Sequence, residues 1–372
     1  MNVLIIHNRF GRSALGGGES VVQKDRLKWM REGHRVVVLS SDCFHGFKSL
    51  VIHRDREDPD DVYRVAPLSF WCFIHLGRLP FPLRLVWHVI DLVNPFPAMM
   101  LWRWLREFHP DIVMTHNLTG LGFLIVVSIR KARRARTPLQ WIHTLHDLQL
   151  LTPSGLVLLG REHVWSYCGS AARLYRAWMR RVFGNPTQIN APSRWIIHEH
   201  RQYGFFRRSS VAIAPLPLIQ KQKKTLIPSD RLHLLFIGQL EYHKGIFFLL
   251  ETLEEYRGKM PPFRLDVIGQ GSLYGAARRR RWPYDVAFHG SKPEREVQGF
   301  LNAAGVLIVP SLCYENAPQA IIEALETGTL VIASRIGGIQ ELVRDGEDGL
   351  LVAPGDGKEL VAAIRRIPLL VK

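Results

Sequence analysis

Two glutamates in the second half of the chain, Glu315 and Glu323, give the most informative chemical pattern in the sequence. Glu315 follows a predicted strand, and Glu323 lies within a helix predicted from 318 to 327. Asn316 can cap this helix, and Pro318 suits its first turn. Carboxylates accept paired hydrogen bonds from vicinal hydroxyls, and a helix N-terminus attracts a phosphate. The pattern therefore indicates a site for a sugar or ribose beside a phosphate, although two solvated surface acids are the alternative.

Lysine and glycine residues at two other strand-to-helix turns suit an anionic ligand. Lys244 ends the turn that begins at Gly238, where a lysine can reach a diphosphate and neutralise departing charge. Gly17 and Gly18 lie in a turn after the first strand, where glycine lets the backbone approach a phosphate closely. The spacing G-x-G-x-x-G is absent, which disfavours a dinucleotide cofactor. A surface lysine and a flexible turn are the alternatives.

Histidines follow two strands of the first half of the chain. His116 and Asn117 come after one strand, and His146 and Asp147 come after the next. Imidazoles at the carboxyl ends of strands can donate to substrate oxygens or transfer protons. His143 and His146 would point to opposite faces of their strand, which argues against a metal site.

Alternating apolar runs and helical patterns position these residues in two α/β domains. They predict two Rossmann-like, doubly wound parallel sheets with ligands at the carboxyl ends of the strands, facing each other across a cleft. A proline- and lysine-rich stretch from 215 to 231 predicts the linker, so the domains are predicted at 1–215 and 216–372. The predicted strands are 2–6, 35–39, 111–115, 139–145, 188–191, 232–237, 263–268, 286–289, 306–310 and 330–333, and the other predicted helices are 19–31, 121–134, 192–203 and 245–256.

The chain is strongly basic, with a formal net charge of +16 over 372 residues. Positive surfaces attract phosphates, and we expect an anionic membrane surface or a lipid-linked acceptor as the partner. A solvated basic face is the alternative. The sequence has no zinc spacing, recognition helix or aromatic-rich binding strand typical of nucleic-acid-binding proteins, so no nucleic-acid partner is expected.

The cysteines and the N-terminus predict a cytoplasmic protein. Cys43, Cys72, Cys168 and Cys313 form no C-x-x-C pair, which supports neither a zinc site nor a disulfide framework. Free thiols in a reducing cytoplasm fit best. No basic region followed by an apolar core opens the chain, so no secretory signal is expected.

The segment 68–105 is rich in Trp, Phe and Leu but is interrupted by charged residues and prolines. No run of about 20 apolar residues spans a bilayer in this sequence. A buried helical layer of the first domain and an amphipathic surface facing lipid both remain open.

Taken together, these segments resemble the retaining glycosyltransferases of family 4, which have the GT-B fold. The resemblance extends from Met1 to about Ile364 and is most specific in the second domain. The matching motifs are E-N-A-P-Q-A-I-I-E-A-L-E-T-G with the I-G-G segment that follows it, and G-G-G-E, H-N-L-T-G-L, L-H-D-L-Q-L-L-T-P-S-G and A-P-S-R-W in the first domain.

The resemblance implies transfer of a sugar from a nucleotide-diphosphate sugar to a hydroxyl of a glycan or lipid-linked acceptor, as in polysaccharide biosynthesis. It implies a hexosyltransferase that retains the anomeric configuration, works without a metal or other cofactor, and often docks on the inner face of a membrane as a peripheral protein. The implied donor-binding residues are Gly17, Gly18, Gln239, Lys244, Glu315, Asn316, Ala317 and Glu323.

Three residues have implied catalytic roles: His146 near the reactive carbon, Glu315 at the donor sugar and Lys244 at the diphosphate. His116, Asn117 and Asp147 are expected on the acceptor side. Two departures from the family pattern stand out. Gln239 replaces the usual arginine, which removes a bidentate phosphate partner. The family usually continues beyond the Pro354–Asp356 motif with a helix that crosses back to the first domain.

Other functions compatible with the same fold remain open. A nucleotide-sugar epimerase or a phosphorylase shares the two-domain plan. A catalytically inactive, basic binding protein is a further alternative, because Gln239 departs from the family pattern.

Overall fold

The computed structural model of the chain describes residues 1–11, 17–43, 51–55, 61–67, 69, 71–135, 138–213 and 231–370. These residues form two α/β units. The first contains 1–155, 165–191 and 197–213, and the second contains 156–164, 192–196 and the described residues from 231 onward. The predicted boundary at 215 and the predicted linker up to 230 lie outside the described residues. The second unit thus includes two short segments that precede this boundary.

The first unit is built on an eight-stranded sheet in the order β3-β4-β2-β1-β5-β6-β7-β8. Neighbouring strands are parallel except β3, which is antiparallel to β4. The run Val3 to Ile6 is fully buried, as expected for a parallel strand covered on both faces. The strands are β1 (Asn2–His7), β2 (Arg35–Ser41), β3 (His53–Arg54), β4 (Val62–Val65), β5 (Ile112–Thr115), β6 (Gln140–Thr144), β7 (Gln188–Ala191) and β8 (Ser210–Ile213).

Seven helices lie in the described part of the chain before residue 214: α1 (Gly17–Arg31), α2 (Phe81–Val93), α3 (Phe96–Phe108), α4 (Ile125–Ala135), α5 (Trp165–Cys168), α6 (Ser170–Phe183) and α7 (Arg194–Gln202). A 3-10 helix, Phe73–Arg78, precedes α2. Within the described residues, the helical stretch Pro82–Phe108 is long and apolar enough to cross a membrane by length and composition. The stretch is interrupted at Asn94 and Pro95, between α2 and α3.

The second unit is built on a six-stranded parallel sheet in the order β11-β10-β9-β12-β13-β14. Side chains alternate between its two apolar layers, so Leu234 packs in one layer and Leu235 in the other. The strands are β9 (Leu232–Ile237), β10 (Phe263–Ile268), β11 (Asp285–Gly290), β12 (Val306–Val309), β13 (Leu330–Ser334) and β14 (Gly349–Val352). The helices are α8 (Ile246–Glu255), α9 (Tyr274–Arg279), α10 (Glu294–Ala303), α11 (Gln319–Glu326), α12 (Ile339–Leu342) and α13 (Gly357–Leu370), and 3-10 turns cover Tyr242–Lys244 and Arg257–Lys259.

Two α/β units with parallel sheets confirm the predicted fold class. The expectation of four free thiols was wrong, because Cys43 and Cys72 form a disulfide with a Cα–Cα distance of 5.1 Å. Cys168 and Cys313 are thiols outside this disulfide. Sequence spacing did not reveal this pair because its partners are brought together only by the folded chain.

Candidate functional site

In the second unit, the turn that carries Lys244 lies directly against the end of β12. Gly245 follows the lysine with φ +72°, and a Cβ atom added there would lie 1.9 Å from the carbonyl oxygen of Pro310. The N–H of Leu312 also donates to the carbonyl of His243 at 2.8 Å. Glycine is required for this close approach. The contact holds the loops that follow β9 and β12 together at the carboxyl edge of the sheet.

Lys244 and Glu315 form an ion pair at this edge, with 2.6 Å between Nζ and Oε2. The lysine side chain is 25% exposed and that of Glu315 is 11% exposed. The hydroxyl of Ser311 donates to the other carboxylate oxygen of Glu315. Two predicted site residues are therefore in direct contact. The ammonium and the carboxylate have each lost part of their hydration and contact each other instead.

Asn316 is buried. The sequence predicted that its side chain caps the following helix, but the structure shows a different contact. Its Oδ1 accepts a hydrogen bond from the hydroxyl of Ser193 at 2.7 Å, and Pro318 occupies the N-cap position of α11. Gly337 and Gly338 approach the backbone of this loop closely, and the N–H of Gly338 donates to the carbonyl of Glu315 at 2.8 Å. The prediction failed because a partner distant in sequence competes for the amide oxygen.

The other predicted donor-binding residues of the second unit flank this pair along the chain. Ala317 precedes the N-cap of α11, whose first N–H groups have no intrahelical partner. Glu323 is partly buried in α11, as the sequence predicted. Gln239 is exposed on the loop after β9, five positions before Lys244.

Two segments that sequence reasoning did not assign to this site support the loop from Leu312 to Tyr314. Leu158 forms an isolated antiparallel bridge with Cys313, and the N–H of Tyr314 donates to the carbonyl of Val157 at 2.9 Å. The ring of Trp195 stacks on Tyr314 with 6.1 Å between centroids. The motif A-P-S-R-W was visible in the sequence as a family landmark, but its contact with this loop was not.

Glu341 fixes the second of these segments. Its carboxylate accepts hydrogen bonds from the N–H of Arg194 at 2.8 Å and from the N–H of Trp195 at 2.6 Å. These two N–H groups open α7, where an acidic partner is favoured by the helix dipole. The same anchor holds Ser193 beside Asn316.

In the first unit, three histidines meet at the carboxyl ends of β1, β5 and β6. Nδ1 of His116 lies 2.9 Å from Nε2 of His146, so the two rings share a hydrogen bond. The ring centroid of His7 lies 6.0 Å from that of His116 and 6.3 Å from that of His146. His143 lies beside this cluster, and its Nδ1 lies 2.9 Å from the hydroxyl of Thr115.

Burial keeps this histidine cluster uncharged. It lowers the pKa of His7 to about 4 and that of His146 to about 3, and it lowers the pKa of His116 well below the usual value. Neighbouring imidazoles act in the same direction on His116. The Oδ2 of Asp25 lies 3.8 Å from Nε2 of His116, and burial raises the pKa of Asp25 to about 6. The imidazoles are thus neutral hydrogen-bonding groups at pH 7.

The predicted acceptor-side residues lie next to the cluster. A Cβ atom on Gly18 would be 3.5 Å from Nε2 of His7 and 3.9 Å from Nδ2 of Asn117, so the start of α1 faces both. Gln149 joins Asn117 to Asp147: its side-chain amide donates to Asn117 at 2.7 Å, and its backbone N–H donates to Asp147 at 2.8 Å. Burial raises the pKa of Asp147 to about 6.

The predicted residues therefore form two groups, one in each unit. Lys244, Glu315 and Asn316 form one with their supports, and His116, His146 and their neighbours form the other. Among the described residues, no group of three or more His, Cys, Asp or Glu side chains is arranged to hold a metal ion. The second-unit group can bind hydroxyls and an anion, and the first-unit group offers neutral imidazoles and amides to a polar ligand.

Comparison with known proteins identifies the family. Residues 16–217 match a family model described as a glycosyl transferase 4-like domain, and residues 231–368 match one described as glycosyl transferases group 1. An "uncharacterized 42.6 kDa protein in cps region" of Klebsiella pneumoniae is 24% identical over 352 residues, which cover 92% of this chain and 88% of that protein.

Two solved structures have the same fold. Sucrose-phosphate synthase from Thermosynechococcus elongatus matches with a TM-score of 0.68 and 19% identity, covering 100% of this chain and 90% of that one. Anabaena Alr3699/HepE, in complex with UDP-glucose, matches with a TM-score of 0.63 and 17% identity, covering 98% and 88%. Because the 4-like family model matches more than half of the chain, this protein belongs to the glycosyl transferase 4-like family and is a glycosyltransferase with the GT-B fold.

Proposed function

We propose that the protein moves a hexosyl group from a nucleotide-diphosphate sugar to a hydroxyl of a glycan or lipid-linked acceptor, with retention of the anomeric configuration. The observation that carries this proposal is the Lys244–Glu315 pair at the carboxyl edge of the second sheet, in front of α11. Support for the donor class also comes from the HepE complex with UDP-glucose. The relative from a cps region supports a role in polysaccharide biosynthesis.

In the proposed complex, the donor replaces the internal ion pair with two contacts of its own. The ammonium of Lys244 would neutralise the diphosphate, together with the free N–H groups at the start of α11. Glu315 would accept hydrogen bonds from the donor sugar, and Glu323 from the ribose. Backbone groups of Asn316 and Ala317 complete this half of the site.

First-unit residues would contact the donor phosphate and the acceptor. Gly17 and Gly18 would bind the donor phosphate through backbone N–H groups. They are the first residues of α1, and they have no side chains that would block the N–H groups of this helix. His146 would lie near the reactive carbon of the donor sugar. It would be a neutral imidazole there, because burial lowers its pKa to about 3. His116 fixes its ring, and Asn117 and Asp147 would contact the acceptor.

The reaction breaks the bond between the anomeric carbon and the diphosphate oxygen and forms one to the acceptor oxygen. Positive charge develops at the sugar ring, and negative charge develops on the leaving diphosphate, where Lys244 stabilises it. We assign no nucleophile of the protein. The acceptor hydroxyl attacks on the face that the diphosphate leaves, and its proton moves to the departing phosphate.

The proposal includes metal-independent transfer in the cytoplasm at the inner face of a membrane. Lys244 and the α11 N-terminus supply the positive charge that a divalent cation supplies in other transferases. Transfer in the presence of EDTA at the rate seen without it supports this assignment, and restoration by added Mg²⁺ or Mn²⁺ opposes it. In a reducing compartment the Cys43–Cys72 bond would be open.

The test is a thermal-shift panel of UDP-, GDP- and ADP-sugars on the wild type, Glu323→Ala and Lys244→Met. A ligand at 100 times its Kd stabilises the wild type by about 2.7 kcal/mol, and we expect both substitutions to reduce this shift. NMR of the transferred sugar then reports the anomeric configuration. Inversion would exclude the retaining mechanism, turnover without an acceptor would favour an epimerase, and no shift with any donor would favour an inactive binding protein.

A further inference from the structure

The helix α2 exposes apolar side chains and buries its carboxyl group. Leu83, Leu85, Val86, Val89 and Val93 are each between 46% and 53% exposed and form what we call the α2 face. The polar residues of the helix are less exposed. Asp91 is only 4% exposed, and Arg84 and His88 are partly buried. A helix that faces water shows the opposite distribution.

Exposed apolar side chains also lie on α6, which contacts α2, and on α3, which follows α2 in the chain after Asn94 and Pro95. The indole N–H of Trp178 in α6 lies 3.4 Å from the carbonyl of Leu92, which brings Trp178 next to the C-terminal end of α2. Leu174 is 73% exposed, Trp178 is 39% exposed, and Met99 of α3 is 66% exposed. The α2 face together with Leu174, Trp178 and Met99 is the apolar patch.

Arginines follow the apolar residues on the same helix faces. Leu174, Trp178 and Arg181 are spaced i, i+4 and i+7 along α6, and Met99, Arg103 and Arg106 have the same spacing along α3. In the four described helices α2, α3, α4 and α6, the acidic residues are the buried Asp91 and Glu107, which pairs with Arg103 at 3.6 Å. The apolar patch therefore carries a cationic rim.

An apolar centre with indole and arginine at its rim matches the boundary between the headgroups and the acyl chains of an anionic bilayer. A second copy of the chain fits less well, because a two-fold interface would bring the arginines of the two rims together. The segment does not span the bilayer in this arrangement. Asn94 and Pro95 separate α2 from α3, and Trp87 and Leu101 are buried in the first unit.

The buried carboxyl group of α2, Asp91, connects this surface to the proposed acceptor side. Asp91 accepts hydrogen bonds from the N–H groups of Gly120 and Gly122, each at 3.0 Å. These glycines belong to the loop that begins with His116 and Asn117 after β5. Two hydrogen bonds therefore join α2 to the loop that carries the residues proposed to contact the acceptor.

We propose that the apolar patch docks in the interfacial region of an anionic bilayer, with the rim arginines on the lipid phosphates. This assignment rests on the proposed function and identifies the surface through which the enzyme reaches a lipid-linked acceptor. The α2, α3 and α6 helices lie in the membrane interface, and the acceptor loop is held at a fixed distance from the lipid by Asp91.

The experiment is flotation of the protein with vesicles of phosphatidylcholine, with or without phosphatidylglycerol. Leu174→Glu is compared with Leu369→Glu, a matched control, since Leu369 is also an exposed leucine (65%) on a helix and lies in the second unit. We expect Leu174→Glu to weaken binding to the anionic vesicles at least about tenfold and Leu369→Glu to leave it unchanged. Arg181→Gln should weaken it about fivefold, and high salt should remove that difference.

Equal binding of Leu174→Glu and Leu369→Glu, or no binding of the wild type to anionic vesicles, would overturn the proposal. So would a wild-type dimer in lipid-free buffer that Leu174→Glu converts to a monomer, because the patch would then be covered by a second copy. Donor-induced thermal shifts of the same variants, measured without vesicles, test the proposed function separately. Normal donor shifts with failed flotation refute only the docking surface.

Discussion

Gly338→Ala adds one methyl group at the tightest part of the second-unit site. Gly338 has φ −76° and ψ −10°, which any residue adopts, so the effect is purely steric. The new Cβ would lie 2.2 Å from the carbonyl oxygen of Asn316 and 2.7 Å from the hydroxyl of Ser193. Ordinary contact begins near 3.4 Å, so the Asn316 loop must move by about 1 Å.

Overpacking of this kind costs about 1–3 kcal/mol of folding free energy, which corresponds to roughly 2–4 °C of Tm per kcal/mol. A displacement of about 1 Å in a substrate-positioning loop reduces turnover by about 100-fold. We therefore expect a moderate fall in Tm, a much larger fall in sugar transfer, and loss of most of the donor-induced thermal shift. Calorimetry, a transfer assay and far-UV circular dichroism measure these effects on one preparation.

Gly299→Ala is the control, because a Cβ atom at that position in α10 meets nothing within 4 Å. Alanine there should raise stability by up to about 1 kcal/mol and leave transfer unchanged. If Gly338→Ala folds with wild-type Tm and transfers sugar at the wild-type rate, the close contact between Gly338 and Asn316 does not position the donor loop.

Three further predictions concern single contacts. His7→Gln should make the free energy of unfolding less sensitive to acid. Unfolded His7 binds a proton below about pH 6.5, whereas the folded residue binds one only near pH 4, so the free energy of unfolding of the wild type relative to the variant should fall by about 3 kcal/mol between pH 7 and pH 4. Urea titrations at the two pH values measure this change, and a pH-independent difference would contradict it. Glu341→Gln should lower the free energy of unfolding by about 1–2 kcal/mol and weaken donor binding, because the N–H groups that open α7 lose a charged acceptor. An unchanged Tm would show that water replaces this acceptor. Thiol titration of the denatured protein, after purification and oxidation in air without reductant, should find two thiols, whereas four would show that the Cys43–Cys72 bond does not form.

The apolar runs of the chain predicted the central strands of both sheets closely. Residues 232–237, 263–268 and 188–191 were predicted as strands with the bounds that the structure has. These strands are buried between helical layers, so the residues that must be apolar in the fold are the same residues that form apolar runs in the sequence. The histidines and the Lys244 turn were also predicted at the carboxyl ends of strands, because parallel topology leaves few other places for polar residues beside buried strands.

Edge strands and long-range contacts could not be predicted in this way. β8 lies at one edge of its sheet and β4 lies next to the two-residue strand β3 at the other. Both have four residues and are partly exposed, so their sequences carry little apolar signal. The partner of Asn316, Ser193, is 123 positions away in the chain, and local capping rules gave the wrong interaction for this reason. The same limitation applies to Asp91, whose burial depends on two N–H groups beyond the next strand.

The two groups of candidate site residues, one in each unit, are prepared for ligand by different physical means. In the second unit, Lys244 and Glu315 satisfy each other, so the partly buried charges are paired before any donor binds. The donor must replace this ion pair with its own contacts to Lys244 and Glu315. Its binding free energy therefore includes only the difference between the new contacts and the ion pair. In the first unit, burial has already removed the charge from the histidines, so no ion pair has to be broken there. Donor affinity should therefore depend on salt and on Lys244, whereas the contribution of the histidine cluster to transfer should stay nearly constant between pH 7 and pH 8, above the pKa of about 6 of Asp25 and Asp147.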